Sequence, residues 1–199
     1  MRLPADQRRR QLLDCAREVF ARSGFHATSM DDIALDAGVT KPVLYQHFPS
    51  KRALYVELLD DTGSRLLDRL AAATRAATTG RARVEEGFAA YFRFVFHDEA
   101  AFRLLFGAPV RSDPEFARAV EDTVRAAAEI IAELIEIPVT DEQRRTLAGG
   151  LVGMAESVSR RALADEDVER DPDRLASWLA ELAWFGLRGV RVESSTPTT

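Results

Sequence analysis

The stretch Thr28-Ser-Met-Asp-Asp-Ile-Ala-Leu-Asp-Ala-Gly-Val-Thr-Lys-Pro-Val-Leu-Tyr-Gln-His-Phe-Pro-Ser-Lys51 decides the fold. Ser29 fits a helix N-cap, and Asp31 and Asp32 fall in the first turn, where carboxylates complement the positive end of a helix. Ile33, Ala34 and Ala37 face inward, and Gly38 stops this helix after about two turns. Val39 reads as a buried turn residue. Thr40 then caps a third helix, Lys41 to about His47, with Pro42 in the first turn, where a missing N–H costs nothing. Leu44 and Phe48 are its inward anchors. Two short helices about a glycine-centred turn, with a helix on each side, make a helix-turn-helix.

The flanks agree. A first helix from about Ala5 to Arg22 repeats Leu12, Leu13, Ala16, Val19 and Phe20 at helical spacing, and Ser23-Gly24 ends it. Ser50 caps a long fourth helix running to about Ala77. Later starts are equally legible: Asp113-Pro114, the capping box Thr140-Asp-Glu-Gln143, and Asp171-Pro172. Strand-type alternation is absent. The expectation is an all-α chain of about nine helices. A three-helix domain at 1–52 is joined by a linking helix at about 50–77 to a helical domain at 53–192, and 193–199 form a disordered polar tail.

In a helix-turn-helix the second short helix enters the major groove of DNA. The outward residues suit that task. Lys41 can reach guanine O6 or N7 or a phosphate, and Pro42 and Val43 offer apolar surface to a thymine methyl. Tyr45, Gln46 and His47 carry polar tips suited to phosphates or base edges. Lys51 stands at one helix N-terminus and Thr28 and Ser29 at another, where free N–H groups favour an anion. The competing reading is an ordinary three-helix packing unit with incidental polar residues. The third helix is too short to persist on propensity, so tertiary placement must explain it.

From Phe20 to Lys51 the chain resembles the DNA-binding domain of the tetracycline-repressor family. The match lies in Gly24-Phe25, Thr28-Ser29, Ile33-Ala34, Ala37-Gly38-Val39, Leu44-Tyr45-Gln46-His47-Phe48 and Lys51. The resemblance implies phosphate contacts from Tyr45, His47 and Lys51. It implies base reading by the third helix, through Lys41, Pro42, Val43 and Gln46, with Thr40 at its start. Asp31 departs from the pattern, since a carboxylate there repels phosphate. A cytoplasmic protein is the reading consistent with a chain that shows no signal-peptide pattern or membrane span, and the family likeness further implies a homodimer, joined through the last two helices, on a palindromic double-stranded DNA operator. It implies a repressor released by a small lipophilic effector.

Residues 88–106 hold seven aromatics. Phe88, Tyr91, Phe92, Phe96, Phe102 and Phe106 are either packed core or the lining of a lipophilic pocket, which such regulators usually have. Arg93, Arg103 and Arg111 are candidate partners of an anionic head, and an acyl chain or acyl thioester is a reasonable ligand class. The last two helices carry Gly149, Gly150 and Gly153 with Trp178, Leu182, Trp184 and Phe185. Three glycines inside one helix cost roughly 1 kcal/mol each against alanine, which close helix approach offsets. That approach is either monomer core or dimer surface.

Composition narrows the alternatives. The net charge is −5, yet residues 1–55 hold nine Lys/Arg and six acids, net +3, against −8 for the rest. A basic quarter on an acidic body suits a chain that meets a polyanion at one end. Cys15, the single cysteine, reads as a small core residue. There is no signal peptide pattern at the N-terminus and no apolar run of about 18 residues, so no membrane span is expected. No dinucleotide fingerprint, phosphate loop or cluster of metal ligands is present, so no catalytic residue, metal site or cofactor is assigned.

Overall fold

The computed structural model describes residues 4–165 and 167–190. Its elements, in chain order, are α1 (Ala5–Ala27), α2 (Met30–Asp36), α3 (Lys41–His47), α4 (Lys51–Ala76), α5 (Gly80–His97), α6 (Glu99–Phe106), α7 (Ala108–Ser112), α8 (Pro114–Glu133), α9 (Asp141–Ala164) and α10 (Pro172–Gly189). No strand occurs among the described residues. The single turn α7 has no counterpart among the helix starts legible in the sequence. The polar tail expected at 193–199 lies outside the described residues.

Local chemistry accounts for the boundaries. α1 buries Leu12, Leu13, Ala16, Val19 and Phe20 on one stripe, and its helical geometry breaks at Gly24, φ +75°. α2 opens with a reciprocal capping box. The Asp32 N–H donates to Ser29 Oγ at 3.1 Å, and the Ser29 N–H donates to the Asp32 carboxylate at 2.8 Å. Gly38, φ +64°, turns the chain out of α2. Thr40 occupies the N-cap position of α3, but its hydroxyl makes no capping bond. Pro42 supplies no N–H for it to receive. Val39 is half-buried rather than buried.

The described residues fall into two compact units. The first, called the head below, takes the chain up to Arg65 together with Asp98–Thr123. Its interior is Leu12, Ile33, Leu44, Phe48, Leu54, Tyr55, Leu58 and Leu59, all nearly inaccessible. Phe116 of α8 joins that core, with its ring 4.9 Å from Phe25 and 4.7 Å from Tyr55. Burial pushes the Tyr55 hydroxyl up to about 12. Two N-cap aspartates hold the later helices in place. Asp98 accepts the Ala101 N–H at 3.0 Å and Arg17 Nη1 at 2.5 Å. Asp113 accepts the Glu115 N–H at 2.9 Å and two guanidinium nitrogens of Arg52 at 2.6 and 2.8 Å. A Cβ added at Gly63 on α4 would overlap the Thr123 side chain on α8, so only glycine permits that approach.

The second unit takes Leu66–His97 and the chain from Val124 onward. Here α5 packs along α10 and against α9. α5 contributes Phe88, Tyr91, Phe92, Phe94 and Val95, and α10 contributes Leu175, Leu179 and Ala183. α9 contributes small residues, Ala148, Ala155, Ser159 and Ala162, which bring its backbone close. No described helix is long and apolar enough to cross a membrane.

Candidate nucleic-acid interface

α3 has seven residues and could not hold its shape alone. Three anchors place it. Leu44 and Phe48 are buried at 0% and 1% exposure. Arg9 reaches from α1: Nη1 donates to the His47 carbonyl at 2.7 Å, Nε donates to Glu57 at 2.7 Å, and the guanidinium lies 4.5 Å from the Phe48 ring centroid. Arg9 thus satisfies a carbonyl at the negative end of α3.

With those anchors inside, the other side of α3 faces out. Lys41, Pro42, Tyr45 and Gln46 are exposed, and Val43 and His47 are half-buried. Thr40 and Ser29 are also exposed. Thr28 and Lys51 are turned inward. Thr28 is 2% exposed, and its hydroxyl donates to the Gly24 carbonyl at 2.8 Å. Lys51 Nζ donates to the carbonyls of Phe25 and Thr28, each at 2.8 Å, and sits 4.5 Å over the Phe25 ring. Lys51 therefore ties the chain around Gly24 to the start of α4. Lys41 Nζ lies 2.9 Å from the Asp31 carboxylate, and that contact raises the ammonium above its ordinary value.

Cys15 is half-buried, with Sγ donating to Asp36 at 3.0 Å. Burial, then that bond, pushes the thiol up to about 12, so it stays protonated and unreactive.

The aromatic residues divide between the units. In the second, Phe88, Phe92 and Phe96 stack along α5 at 6.4 and 6.2 Å, with Tyr91 edge-on to Phe92 at 5.4 Å. In the head, Phe102 and Phe106 of α6 pair at 5.0 Å. Phe96 and Phe106 are half-buried, and the others are buried. Tyr91 and Ser159 bring two buried hydroxyls near one another, and neither completes a hydrogen bond. The candidate arginines have internal partners: Arg93 with Asp173 at 2.7 Å, Arg103 with Glu99 at 3.3 Å, and Arg111 with the Phe106 carbonyl at 2.5 Å. No group of residues able to hold a metal ion occurs among the described residues.

On α10, Trp178, Leu182 and Phe185 stand 49%, 61% and 63% exposed at helical spacing. On α9, Gly149, Gly150 and Gly153 are exposed, and a Cβ at any of them would meet open space.

Residues 12–58 match the family described as bacterial regulatory proteins, tetR family, and residues 81–186 match the tetracyclin repressor-like C-terminal domain. The HTH-type transcriptional activator FasR of Mycolicibacterium smegmatis is 37% identical over 98% of this chain and 89% of its own. The chain belongs to the tetR family of bacterial regulatory proteins. That family consists of DNA-binding transcription regulators, not enzymes. A TetR-like regulator from Rhodococcus sp. RHA1 has the same fold, with TM-score 0.75 and 32% identity, covering 95% of this chain and 100% of that one. FadR of Bacillus subtilis, solved with stearoyl-CoA, shares the fold alone, with TM-score 0.75 and 16% identity, covering 92% and 99%.

For this tetR-family chain, sequence reading missed Arg9 as the support of α3. An arginine one turn from the N-terminus gives no hint that it will reach a carbonyl 38 positions away. Tyr55 was equally hidden, because a phenol is as common at surfaces as in cores.

Proposed function

We propose that the chain acts in the cytoplasm as a homodimer that holds a palindromic double-stranded DNA operator and responds to a small lipophilic effector. Residues 1–52 supply the DNA-binding domain. Lys41, Pro42, Val43 and Gln46 read bases, and Ser29, Thr40, Tyr45 and His47 meet the backbone. Thr28 and Lys51 act by shaping the turn around Gly24 and the start of α4 rather than through side chains that meet DNA. The carrying observation is an anchored seven-residue helix whose polar side chains remain in solvent after its core needs are met.

Residues 53–192 supply effector binding and dimerisation. The exposed stripe Trp178, Leu182 and Phe185, with the open glycines of α9, supports a second copy as its partner. Such a dimer sets two recognition helices roughly 34–36 Å apart, one helical turn of DNA. The effector meets Phe88, Tyr91, Phe92 and Phe96, and a ligand carbonyl would satisfy the Tyr91 hydroxyl. An acyl chain or acyl thioester fits this lining, as the stearoyl-CoA complex of the B. subtilis fold-mate illustrates. Activation by the DNA-bound form is preferred over the repression expected from family habit, because FasR of M. smegmatis, which matches over 98% of the chain, is named an activator.

The test is selection from a randomised duplex pool followed by gel shifts of the enriched duplex. Lys41→Ala and Tyr45→Phe should each weaken binding about tenfold, with the helical circular dichroism unchanged. If no palindrome is enriched, the reading fails.

A further inference from the structure

The first turn of α2 carries two carboxylates with different employment. Asp32 is committed to the helix start: it accepts from the Ser29 N–H at 2.8 Å and from Ser29 Oγ at 2.7 Å. Those bonds hold its carboxyl below the usual range. Asp31 takes no part in that cap. Its carboxylate meets Lys41 Nζ at 2.9 Å, across the turn and at the first position of α3. Both side chains are more than half exposed, so the pair contributes little to stability. Its consequence lies in what the lysine charge can do.

A free lysine on a recognition helix is drawn to any phosphate and adds affinity without sequence preference. Lys41 is not free in that sense. A phosphate approaching its ammonium also approaches the Asp31 carboxylate, which repels it. A base pair that offers an acceptor to the lysine and a donor to the carboxylate, side by side, satisfies both. The major-groove edge of G·C does so: guanine presents O6 and N7, and cytosine presents its N4 amine. O6 and N4 are themselves hydrogen-bonded at about 2.9 Å. That spacing matches the one between Lys41 Nζ and the Asp31 carboxylate. An A·T pair also sets a donor, adenine N6, beside an acceptor, but it has no counterpart of the paired O6 and N7 acceptors that make guanine the usual partner of a lysine.

We infer that Asp31 and Lys41 act as one reading head for a G·C base pair. Lys41 donates to guanine, Asp31 accepts from cytosine, and Asp31 keeps Lys41 off the phosphate backbone. This rests on the DNA-binding reading above.

The experiment uses the full chain, Asp31→Asn and Lys41→Met. Each is put through selection from a randomised duplex pool. Anisotropy titrations then compare the enriched duplex with a scrambled duplex of equal length over a salt series. The unaltered chain should enrich G·C at one position in each half-site, and both variants should relax that same position. Asp31→Asn should bind the scrambled duplex more tightly. It should steepen the plot of log affinity against log salt by about 0.9 per protomer, one extra phosphate contact each. Its preference for the enriched duplex should fall roughly tenfold. If a site is enriched but Asp31→Asn keeps the slope and the preference of the unaltered chain, this inference is overturned and the DNA-binding reading stands. Enrichment of A·T at the Lys41-dependent position overturns it equally. If the unaltered chain enriches nothing, both fail together.

Discussion

Two helices of this molecule leave side chains in solvent, and they do so with opposite chemistry. α3 in the head buries Leu44 and turns out Lys41, Tyr45 and Gln46. α10 in the second unit buries Leu175, Leu179 and Ala183 and turns out Trp178, Leu182 and Phe185. A polar outward face over a filled core needs a polar partner. An apolar outward face is tolerated only when something covers it. On the function proposed above, the chemistry of what is left exposed, more than the fold, separates a surface for a polyanion from a surface for another copy of the chain.

The largest expected effect tests whether α3 depends on its anchors. Leu44→Ala deletes a fully buried side chain beneath α3 and should cost about 2–5 kcal/mol. Chemical denaturation should show the loss, and binding to the selected duplex should vanish before global unfolding. If stability falls but duplex affinity is unchanged, α3 is not the part that meets DNA.

Next comes the apolar face. Phe185→Ala removes the most exposed large side chain of α10's stripe. In a monomer such a change would be close to neutral. At the centre of a dimer interface it should cost about 2 kcal/mol, roughly thirtyfold in the dimer dissociation constant, as read by sedimentation. An unchanged dissociation constant would remove α10 from the interface. The two measurements together keep the regions distinct, since the first leaves assembly intact and the second leaves the folded head intact.

Much of the head was legible because its signals are local. Ser29 with Asp32, Gly38, Pro42 and the Leu12-to-Phe20 stripe each act within a few residues, and each appears as read. What could not be read depends on distant pairing. Asp113 looks like a plain N-cap, yet it also receives Arg52 from 61 positions away. Lys51 resembles a phosphate contact by motif, yet its ammonium is spent on the Phe25 and Thr28 carbonyls. Motif position fixes where a charge is attached, while the side chain's reach decides what it touches. The aromatic run shows the same limit: Phe96 and Phe102 are six residues apart and fall in different compact units.

The smallest effect concerns acid, and it falls unevenly on the two regions. Asp32, Asp36 and Asp113 all lie in the head, and all are held below the usual carboxylate range. The causes are Ser29 for Asp32, Cys15 and then Arg22 for Asp36, and Arg52 for Asp113. A carboxyl lowered by folding stabilises the folded state above its unfolded value of about 3.9. That contribution is lost as pH falls through the lower, folded value. The three apolar side chains Trp178, Leu182 and Phe185 of α10 themselves carry no titratable group. Asp113→Asn separates the ion pair from the cap, because asparagine still caps a helix but cannot ionise. The variant should be less stable than the unaltered chain at neutral pH, and the gap should close as pH falls below about 4, where the unaltered Asp113 takes up its proton. Chemical denaturation of both chains over a series of pH values measures that gap. An offset that stays constant into strong acid would mean that the Asp113–Arg52 pair contributes nothing to the head, and that its acid sensitivity resides in Asp32 and Asp36.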